Sequence, residues 1–393
     1  MSRRRALALL SAVIAAPGKA LAFGLTDTQP PPDAAAFAPG ESDPLFAACR
    51  KAADGRFSAA VFDAAGRIVA DITLPARGHD LVARPGVAPL AQELVAFARR
   101  PGNFAVAFDP TGGTRAPHWF RAPAGRHFYG HGAFSSDGRL LFTTENDIDT
   151  AEGVIGVYDA AAGYAPVDAF SSGGIGPHDL ALMPDGHTLV VANGGIETHP
   201  DFGRTPLNLS RMSPRISFIN TRTGAPRDGA ALPAPLHRLS LRHLAVRGDG
   251  LVVLAGQHHG ALIERPELIY TLRVGGNLIP LTLPGNATRQ LRNYVTSVAV
   301  SDDGRRAAVS SAKGNTVGII DLETRRLIAT HALADAAGVA AAGPTGGDVH
   351  ASTFVVSTGR GAIRYLNTST AIPTMSSSWD NHLMRVDQVS GMG

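Results

Sequence analysis

A glycine-ending turn recurs along this chain between pairs of short apolar segments, and it constrains the fold more than any other feature. Two short apolar runs joined by such a turn predict a β-hairpin. The separations between successive turn glycines are 52, 48, 64, 54 and 42 residues. This loose period favours the radial blades of a β-propeller over the two layers of a sandwich. The turns end at Gly86, Gly138, Gly186, Gly250, Gly304 and Gly346.

One repeat shows the expected blade most clearly. Residues 178–183 predict an inner strand, Pro-Asp-Gly its turn, and residues 188–192 a second strand. Third strands with similar sequences are predicted at residues 154–159, 216–220 and 317–321. The 44 glycines and 27 prolines are spread along the chain, which disfavours long helices and favours short strands with tight turns.

Both ends of the domain are needed to complete the last blade. Residues 382–387 predict its inner strand, and residues near 45–50, 56–63 and 67–75 predict the strands beside it. Such closure removes the exposed edge of the sheet. We therefore expect an all-β, seven-bladed β-propeller over residues 45–390, closed by strands from both termini, with six-bladed and eight-bladed rings as the alternatives.

The amino terminus predicts an export signal over residues 1–22. Arg3, Arg4 and Arg5 precede an apolar stretch too short to span a bilayer, and Ala20-Leu21-Ala22 offers a small-residue cleavage site. The arginines resemble a twin-arginine signal, with Sec export as the alternative. Residues 23–44 predict a linker, and we expect a soluble periplasmic protein after cleavage.

The charge balance disfavours a nucleic-acid partner. Beyond residue 22 the chain has 32 basic and 33 acidic residues, so the apparent net charge of +3 comes from the leader. The single cysteine, Cys49, excludes an intramolecular disulfide framework, an iron-sulfur site and a thiolate zinc site within one chain.

Five histidines share one position in the repeat, at the start of an inner strand. With 14 histidines in 393 residues, seven random positions would hold about 0.25, so five is well above chance. Because inner strands surround the axis of a propeller, we expect these imidazoles to converge at one mouth of the central channel. The five are His79, His131, His178, His243 and His382; the equivalent positions in the other two blades are Ser297 and Gly338.

A cluster of neutral imidazoles is the ligand set that Fe, Cu or Zn prefers, so the ring is our candidate metal site. Loops after the second strands open at the same face, and we expect their polar side chains to orient the histidine rings by hydrogen bonds. A long segment between residues 194 and 213 predicts an extended loop there, carrying Glu197, His199 and Asp201. Two alternatives are open: histidines that cross-link neighbouring blades, and a polar-ligand or proton-shuttling site. The second-shell candidates are Glu145, Asn146, Asn193 and Gln257.

Motifs of known enzyme classes are absent from the sequence. It has no G-x-S-x-G elbow, no Walker loop and no H-E-x-x-H helix. No catalytic residue is therefore assigned, and the sequence favours a non-enzymatic protein. A channel-centred hydrolase or oxidoreductase is the enzymatic alternative, with Glu145, Asp147 and Asp179 as possible members of its carboxylate set.

Residues 184–195, Pro-Asp-Gly-His-Thr-Leu-Val-Val-Ala-Asn-Gly-Gly, resemble the YVTN-type repeats of the quinoprotein amine dehydrogenase β-chain superfamily. More closely, the segments around the ring histidines resemble an exported bacterial propeller family of unknown function. These segments are residues 77–79, 129–138, 144–147, 176–178, 241–244 and 379–382. The resemblance implies gene neighbours that encode imelysin-type iron-uptake proteins and a di-haem c-type oxidoreductase.

Together these features lead us to expect a periplasmic, non-enzymatic accessory of iron or copper acquisition with a histidine-lined channel mouth. The alternative is an interaction scaffold that docks an imelysin-like or c-type haem partner.

Overall fold

Seven antiparallel sheets follow one another along the chain in this computed structural model, which describes residues 44–86, 93–100, 102–343, 354–366, 372 and 374–386. The seven-bladed, all-β prediction is confirmed. The predicted export signal, most of the linker and the turn at residues 344–346 lie outside the described residues. The described residues belong to one compact unit.

Blades 1 to 4 each have four strands, numbered outwards from the inner strand. Blade 1 comprises β4 (Gly78–Arg84), β5 (Glu93–Ala98), β6 (Ala105–Phe108) and β7 (His118–Phe120). Blade 2 comprises β8 (Arg126–Phe134), β9 (Leu140–Asp147), β10 (Glu152–Asp159) and β11 (Ala165–Ile175). Blade 3 comprises β12 (Pro177–Leu182), β13 (Thr188–Asn193), β14 (Arg215–Asn220) and β15 (Pro226–Ala231). Blade 4 comprises β16 (Leu239–Val246), β17 (Val252–His258), β18 (Ile269–Leu272) and β19 (Ile279–Pro280).

The remaining blades complete the circle. Blade 5 comprises β20 (Ser297–Val300), β21 (Arg306–Ser311), β22 (Thr316–Asp321) and β23 (Arg326–Ala332). Blade 6 shows β24 (Ala336–Ala341), β25 (Phe354–Thr358) and β26 (Ile363–Tyr365). Blade 7 combines β1 (Leu45–Ala52), β2 (Phe57–Asp63) and β3 (Ile68–Leu74) with β27 (Ser377–Trp379) and β28 (Met384–Val386).

Blade 7 closes the ring in the way that the sequence predicts. Both carboxy-terminal strands pair antiparallel with β1: Arg50 lies opposite Trp379, and Ala47 lies opposite Met384. The inner strands contact one another in the order β4, β8, β12, β16, β20, β24 and β28, and β28 contacts β4. The closing strand therefore brings His382 to the same channel as the inner strands of blades 1 to 4.

The recurring turns set the register of the blades. In the four recurring turns that end in Asp-Gly, the glycine N–H donates to the carbonyl three residues earlier, as from Gly138 to Ser135 and from Gly186 to Met183. Gly138 has φ +67° and Gly186 has φ +71°, a left-handed conformation that glycine adopts without strain. The aspartate before each glycine accepts hydrogen bonds from the start of the next strand, as Asp137 does from the Arg139 N–H.

The hydrophobic core lies between adjacent blades. Alternate side chains of each strand face one neighbouring blade or the other, so that Phe97 of blade 1 packs edge-on against Phe128 of blade 2 at 5.7 Å between ring centroids. Within blade 7, Phe62 packs on Trp379 at 5.0 Å. Burying one such aromatic side chain contributes roughly 1.5–3 kcal/mol, which makes the closing blade an apolar contact as well as a hydrogen-bonded one.

Helices are short in the described part of the chain. The α-helix spans Gly285–Gln290, and single 3-10 turns occupy Ala160–Ala162, Pro200–Phe202, Leu209–Arg211 and Ala234–Leu236. Among these described helices, none has the length and apolar character needed to cross a bilayer.

Candidate metal centre

The five histidines of the repeat pattern lie on the inner strands or beside them. Four belong to the first strands of blades 1 to 4, and His382 lies two residues before the start of β28. All five are buried, with exposed fractions of 1% to 9%. Their positions are His79 in β4, His131 in β8, His178 in β12 and His243 in β16.

A register shift interrupts each of the four inner strands where its histidine lies. In β12 the pairing jumps from Pro177 to Asp179, and in β16 it jumps from Leu241 to His243. Comparable shifts occur at residues 78–81 of β4 and residues 128–132 of β8. Such bulges re-aim side chains, whereas neighbours in a regular strand face opposite sides. The irregularity therefore allows two consecutive residues to reach the channel.

The imidazoles form one continuous cluster. His79 lies in the middle, with ring centroids 5.0 Å from His131, 4.6 Å from His382 and 5.9 Å from His178. His243 lies 4.9 Å from His178 and 5.2 Å from His382. All five predicted residues thus meet at the propeller axis.

Glycine permits the close approach of blade 2 to His79. A Cβ atom at Gly130 would lie 2.7 Å from Cδ2 of His79, and the φ of Gly130 is +111°. In blade 6, a Cβ atom at Gly338 would lie 2.4 Å from the backbone nitrogen of Leu383. Because the closing strand occupies that space, the two positions without histidine pack tightly: Ser297 accepts a hydrogen bond from the Val339 N–H at 3.4 Å.

Three carboxylates hold the histidines from behind. Asp380 lies 3.2 Å from Nδ1 of His79, and Asp80 lies 2.9 Å from Nδ1 of His131. Asp179 is 3.4 Å from that same nitrogen of His131. An ionised carboxylate only accepts hydrogen bonds, so these contacts place the Nδ1 proton on His79 and on His131 and leave Nε2 as the basic nitrogen.

Burial keeps the imidazoles neutral. It lowers the pKa of all five, most strongly for His79, His178 and His243, and it lowers the pKa of His382 to about 4. Each histidine is also disfavoured as a cation by neighbouring positive groups, such as Arg242 beside His243. Neutral imidazole is the form that binds transition metals.

The carboxylates differ in their charge state. Burial raises the pKa of Asp80, and it raises the pKa of Asp179 to about 6. Burial acts on Asp380 in the same direction, but the hydrogen bond from His79 and the charges of Arg99 and Arg77 outweigh it. They hold the pKa of Asp380 well below its ordinary value. At neutral pH the imidazoles are therefore neutral, and at least the carboxylate of Asp380 beside them is negatively charged.

Several ring nitrogens have no hydrogen-bond partner among the described residues. They include Nε2 of His131 and of His382, Nδ1 of His178, and both nitrogens of His243. A buried polar atom without a partner loses its hydration at a cost of about 1–3 kcal/mol. One ring nitrogen from each of His79, His131 and His382 lies within 4.8 Å of the other two. Such a group can hold a metal ion.

A small cavity opens above the cluster. Its volume is about 20 Å³, enough for a single water molecule or ion. It is lined by three of the ring histidines, His79, His178 and His243, and by four arginines, Arg99, Arg100, Arg204 and Arg242. The remaining wall residues are Tyr129, Gln257, Tyr294 and Asn381.

The predicted second-shell residues occupy different places. Gln257 lines the cavity and donates from Nε2 to the Val295 carbonyl at 3.1 Å. Glu145 accepts from the hydroxyl groups of Tyr158 and Thr143 within blade 2. Asn146 donates to the Asp147 carbonyl, and Asn193 donates to Ser172 and Ser217. The carboxylates that contact the rings are Asp80, Asp179 and Asp380, of which sequence reasoning named only Asp179, and then as part of a hydrolytic set.

The extended loop predicted between residues 194 and 213 reaches the cavity. Tyr129 lies 3.2 Å from the hydroxyl of Thr198, and Arg204 lines the cavity. Glu197 pairs with Arg211 at 3.1 Å, and Nδ1 of His199 accepts from the Asp201 N–H. The three residues that the sequence placed on this loop therefore bond within the loop itself. The neighbouring His258 bonds Glu264 at 2.7 Å.

One family model matches the chain. It is described as "Protein of unknown function (DUF1513)", and it matches residues 72–386, from within β3 to the last residue of β28. The match therefore takes in all five histidines and the three carboxylates that contact them. Its description names no activity, metal or partner. No curated protein is similar enough to this chain to match it.

Proposed function

We propose that this chain, which belongs to the DUF1513 family, binds one divalent transition-metal ion through His79, His131 and His382. The observation that carries the proposal is the group of three buried histidines with ligand atoms within 4.8 Å of one another. Carboxylates lie within hydrogen-bond distance of Nδ1 of His79 and of His131. Metal-binding histidines commonly donate their second N–H to a carboxylate in this way.

The distances require only a small adjustment on binding. Four tetrahedral ligands at 2.0–2.1 Å from zinc lie about 3.4 Å from one another. Nitrogens now up to 4.8 Å apart would each move by less than about 1 Å to reach that arrangement. Three imidazoles leave a fourth coordination position open, and the cavity floor at His79 gives it access to solvent or to a small ligand.

We further propose that the bound metal is iron or copper and that the protein serves a periplasmic system acquiring it. Support comes from the basic, apolar leader and from the resemblance to exported propellers encoded beside imelysin-type proteins. The chemistry of the ligands is compatible, since imidazole suits iron, copper and zinc. Copper is expected to bind most tightly among the divalent ions, following the general affinity order.

Metal analysis by mass spectrometry tests this function directly. Protein purified without a histidine tag is expected to contain close to one equivalent of iron or copper. One equivalent of zinc would support the metal site but contradict its assignment to iron or copper. His131→Gln and His382→Gln should each lose it while remaining folded by circular dichroism. His127→Gln is the matched control, because His127 is equally buried but bonds the Phe128 carbonyl outside the trio.

The proposal fails if folded parent protein contains no metal and takes up none on titration with Fe²⁺, Cu²⁺ or Zn²⁺. It also fails if both trio variants retain the metal content of the His127→Gln control.

A second function, docking of an imelysin-like or c-type haem protein at the cavity face, is favoured by exposed apolar residues. Ile263 is 82% exposed, Leu262 is 67% exposed and Phe202 is 61% exposed. Phe202 belongs to the loop that carries Arg204 to the cavity, and the other two follow His258 at the end of β17. Leu262 and Ile263 are consecutive in the chain, and adjoining exposed apolar side chains of this kind mark interaction sites.

Replacing both Leu262 and Ile263 by serine should abolish binding of an imelysin-type protein from the same genome, measured by calorimetry. Ile328→Ser is the control, since Ile328 is 50% exposed on the outer strand β23. Equal binding by the double variant and the control would reject this second function.

A further inference from the structure

Four arginines surround the cavity above the histidine cluster, and most of their charge is uncompensated. Arg99 pairs with Asp380 at 2.6 Å. Arg100 lies over the ring of Tyr129 at 4.1 Å and donates to Thr198. For Arg100, Arg204 and Arg242, the described residues contain no carboxylate within ion-pairing distance. The mouth of the channel is therefore strongly positive.

Arg242 is the most constrained of the four. It is 8% exposed, and it lies at the bulge of β16 directly before His243. Among the described residues its hydrogen bond is a single one, from Nε to the Ser240 hydroxyl at 3.2 Å. Burial and the charge of Arg100 lower the pKa of Arg242 to about 10. A guanidinium remains charged at neutral pH even so, and its terminal NH₂ groups have donors to offer to the cavity.

Burying a cation without a carboxylate is costly unless a ligand compensates the charge. Guanidinium groups recognise oxyanions by paired hydrogen bonds. Several planar guanidinium groups that approach from different directions can together bind the oxygens of a tetrahedral anion. The cavity volume of about 20 Å³ limits the occupant to a small ion. Neutral imidazoles on the floor add donors or acceptors as their tautomers require.

We propose that this arginine-lined cavity binds a small tetrahedral oxyanion of the phosphate class. Arg100, Arg204 and Arg242 neutralise it, and His79 and His243 lie beneath it. The site adjoins the metal trio but binds through different side chains, because Arg204 comes from the loop after β13 and Arg242 from the bulge of β16. His79 belongs to both sites, so an oxyanion here would lie next to the open coordination position. Its binding does not depend on a metal.

Calorimetric titration of the full chain with inorganic phosphate, after removal of metal with a chelator, tests the proposal. Saturable binding is expected, and sodium chloride at equal ionic strength should produce none. Arg242→Gln should weaken phosphate binding by at least about tenfold, as loss of a hydrogen bond to a charged group predicts. Arg204→Gln, at the exposed rim, should weaken it too and is the safer variant for folding.

Arg222→Gln is the control, since Arg222 is exposed in the turn between β14 and β15. It should bind phosphate within about twofold of the parent, because surface charges far from a site are screened. Absence of saturable binding in the parent, or parental affinity in folded Arg204→Gln, would overturn the proposal. Phenyl phosphate separates the sources: weaker binding than inorganic phosphate is expected for a cavity of this size, and tighter binding would reject a free inorganic ion in favour of a phosphate monoester. Because phosphate binding is measured on metal-free protein, its outcome does not bear on the metal proposal, which metal content tests separately.

Discussion

Nδ1 of His131 lies 2.9 Å from Oδ2 of Asp80, across the boundary between blades 2 and 1. The same carboxylate approaches Nδ1 of His382 at 3.8 Å, so Asp80 lies between two members of the proposed metal trio that are 251 residues apart in the chain. A carboxylate hydrogen-bonded to Nδ1 orients the ring of His131 and makes it a more basic ligand.

Asp80→Asn is therefore expected to reduce metal affinity about 10-fold to 100-fold, the usual effect of losing such a partner. Competition with a chromophoric chelator measures the change. Asp168→Asn, at an exposed position of β11, should retain parental affinity. Parental affinity in folded Asp80→Asn would show that the carboxylate does not support the metal.

Gly130→Ala should destabilise the protein and disturb His79. The added Cβ would lie 2.7 Å from His79 at a φ of +111°, so contact and backbone strain act together. We expect a loss of about 1–3 kcal/mol in the free energy of unfolding, together with weaker metal binding. Gly125→Ala separates the two causes, because Gly125 has φ +80° and open space around its Cβ position. If both variants retain metal equally, the contact with His79 is unimportant.

The metal-free protein should lose stability below about pH 6.5, where histidines of the unfolded chain gain protons. Burial lowers the pKa of His178 and His243 in the folded state, so their stabilising effect is complete at higher pH and is lost as the pH falls through the unfolded value. Each costs about 1.4 kcal/mol at pH 5.5 relative to pH 7.5. Asp179, with its raised pKa, partly opposes this loss.

Urea unfolding at the two pH values measures the effect. His243→Asn should reduce the pH-dependent loss by one histidine, about 1.4 kcal/mol. His187→Asn, at an exposed turn of blade 3, should keep the parental pH dependence. An identical pH dependence in all three proteins would contradict the prediction.

Asp380→Asn should loosen the closing blade. Asp380 is 2% exposed. Its carboxylate pairs with Arg77 and Arg99 and contacts His79, and all three residues come from the region of blade 1. Removing one partner of a buried ion pair costs about 3–5 kcal/mol because the other charges are left without compensation. Asp302→Asn is the contrast: its pair with Arg385 also holds the carboxy-terminal segment but is half exposed, and it should cost at most about 1 kcal/mol. Urea denaturation that finds equal losses for the two variants would refute this difference.

The fold could be predicted from the sequence because its information is local and repeated. Each Asp-Gly turn fixes a hairpin by itself, and the third strands of blades 2, 3 and 5 fall where their similar sequences indicate. Closure by residues 382–387 was predictable because an unpaired inner position had to be filled. The short β27 was not predicted, since Ser377–Trp379 has neither the length nor the alternation of a strand and pairs only because β1 is already in place.

The site was predictable only in part. The periodic placement of the histidines indicated their convergence, but their carboxylate partners depend on bulges that no propensity reveals. The signal that was available is the dipeptide His-Asp at residues 79–80 and 178–179, repeated at equivalent positions. In a regular strand Asp80 would face away from the axis, so the dipeptide carried no meaning without the register shift. Glu145 illustrates the reverse: it lies at the correct end of β9, but its hydrogen bonds go to Tyr158 and Thr143.

Because the ring is closed by β28, the three histidines of the proposed site are synthesised at widely separated times during translation. His79 and His131 leave the ribosome early, whereas His382 follows some 250 residues after His131. A nascent or prematurely terminated chain therefore holds at most two of the three proposed ligands, however well its first blades have folded. If the trio binds a metal as proposed, full affinity requires a chain that has been synthesised through His382.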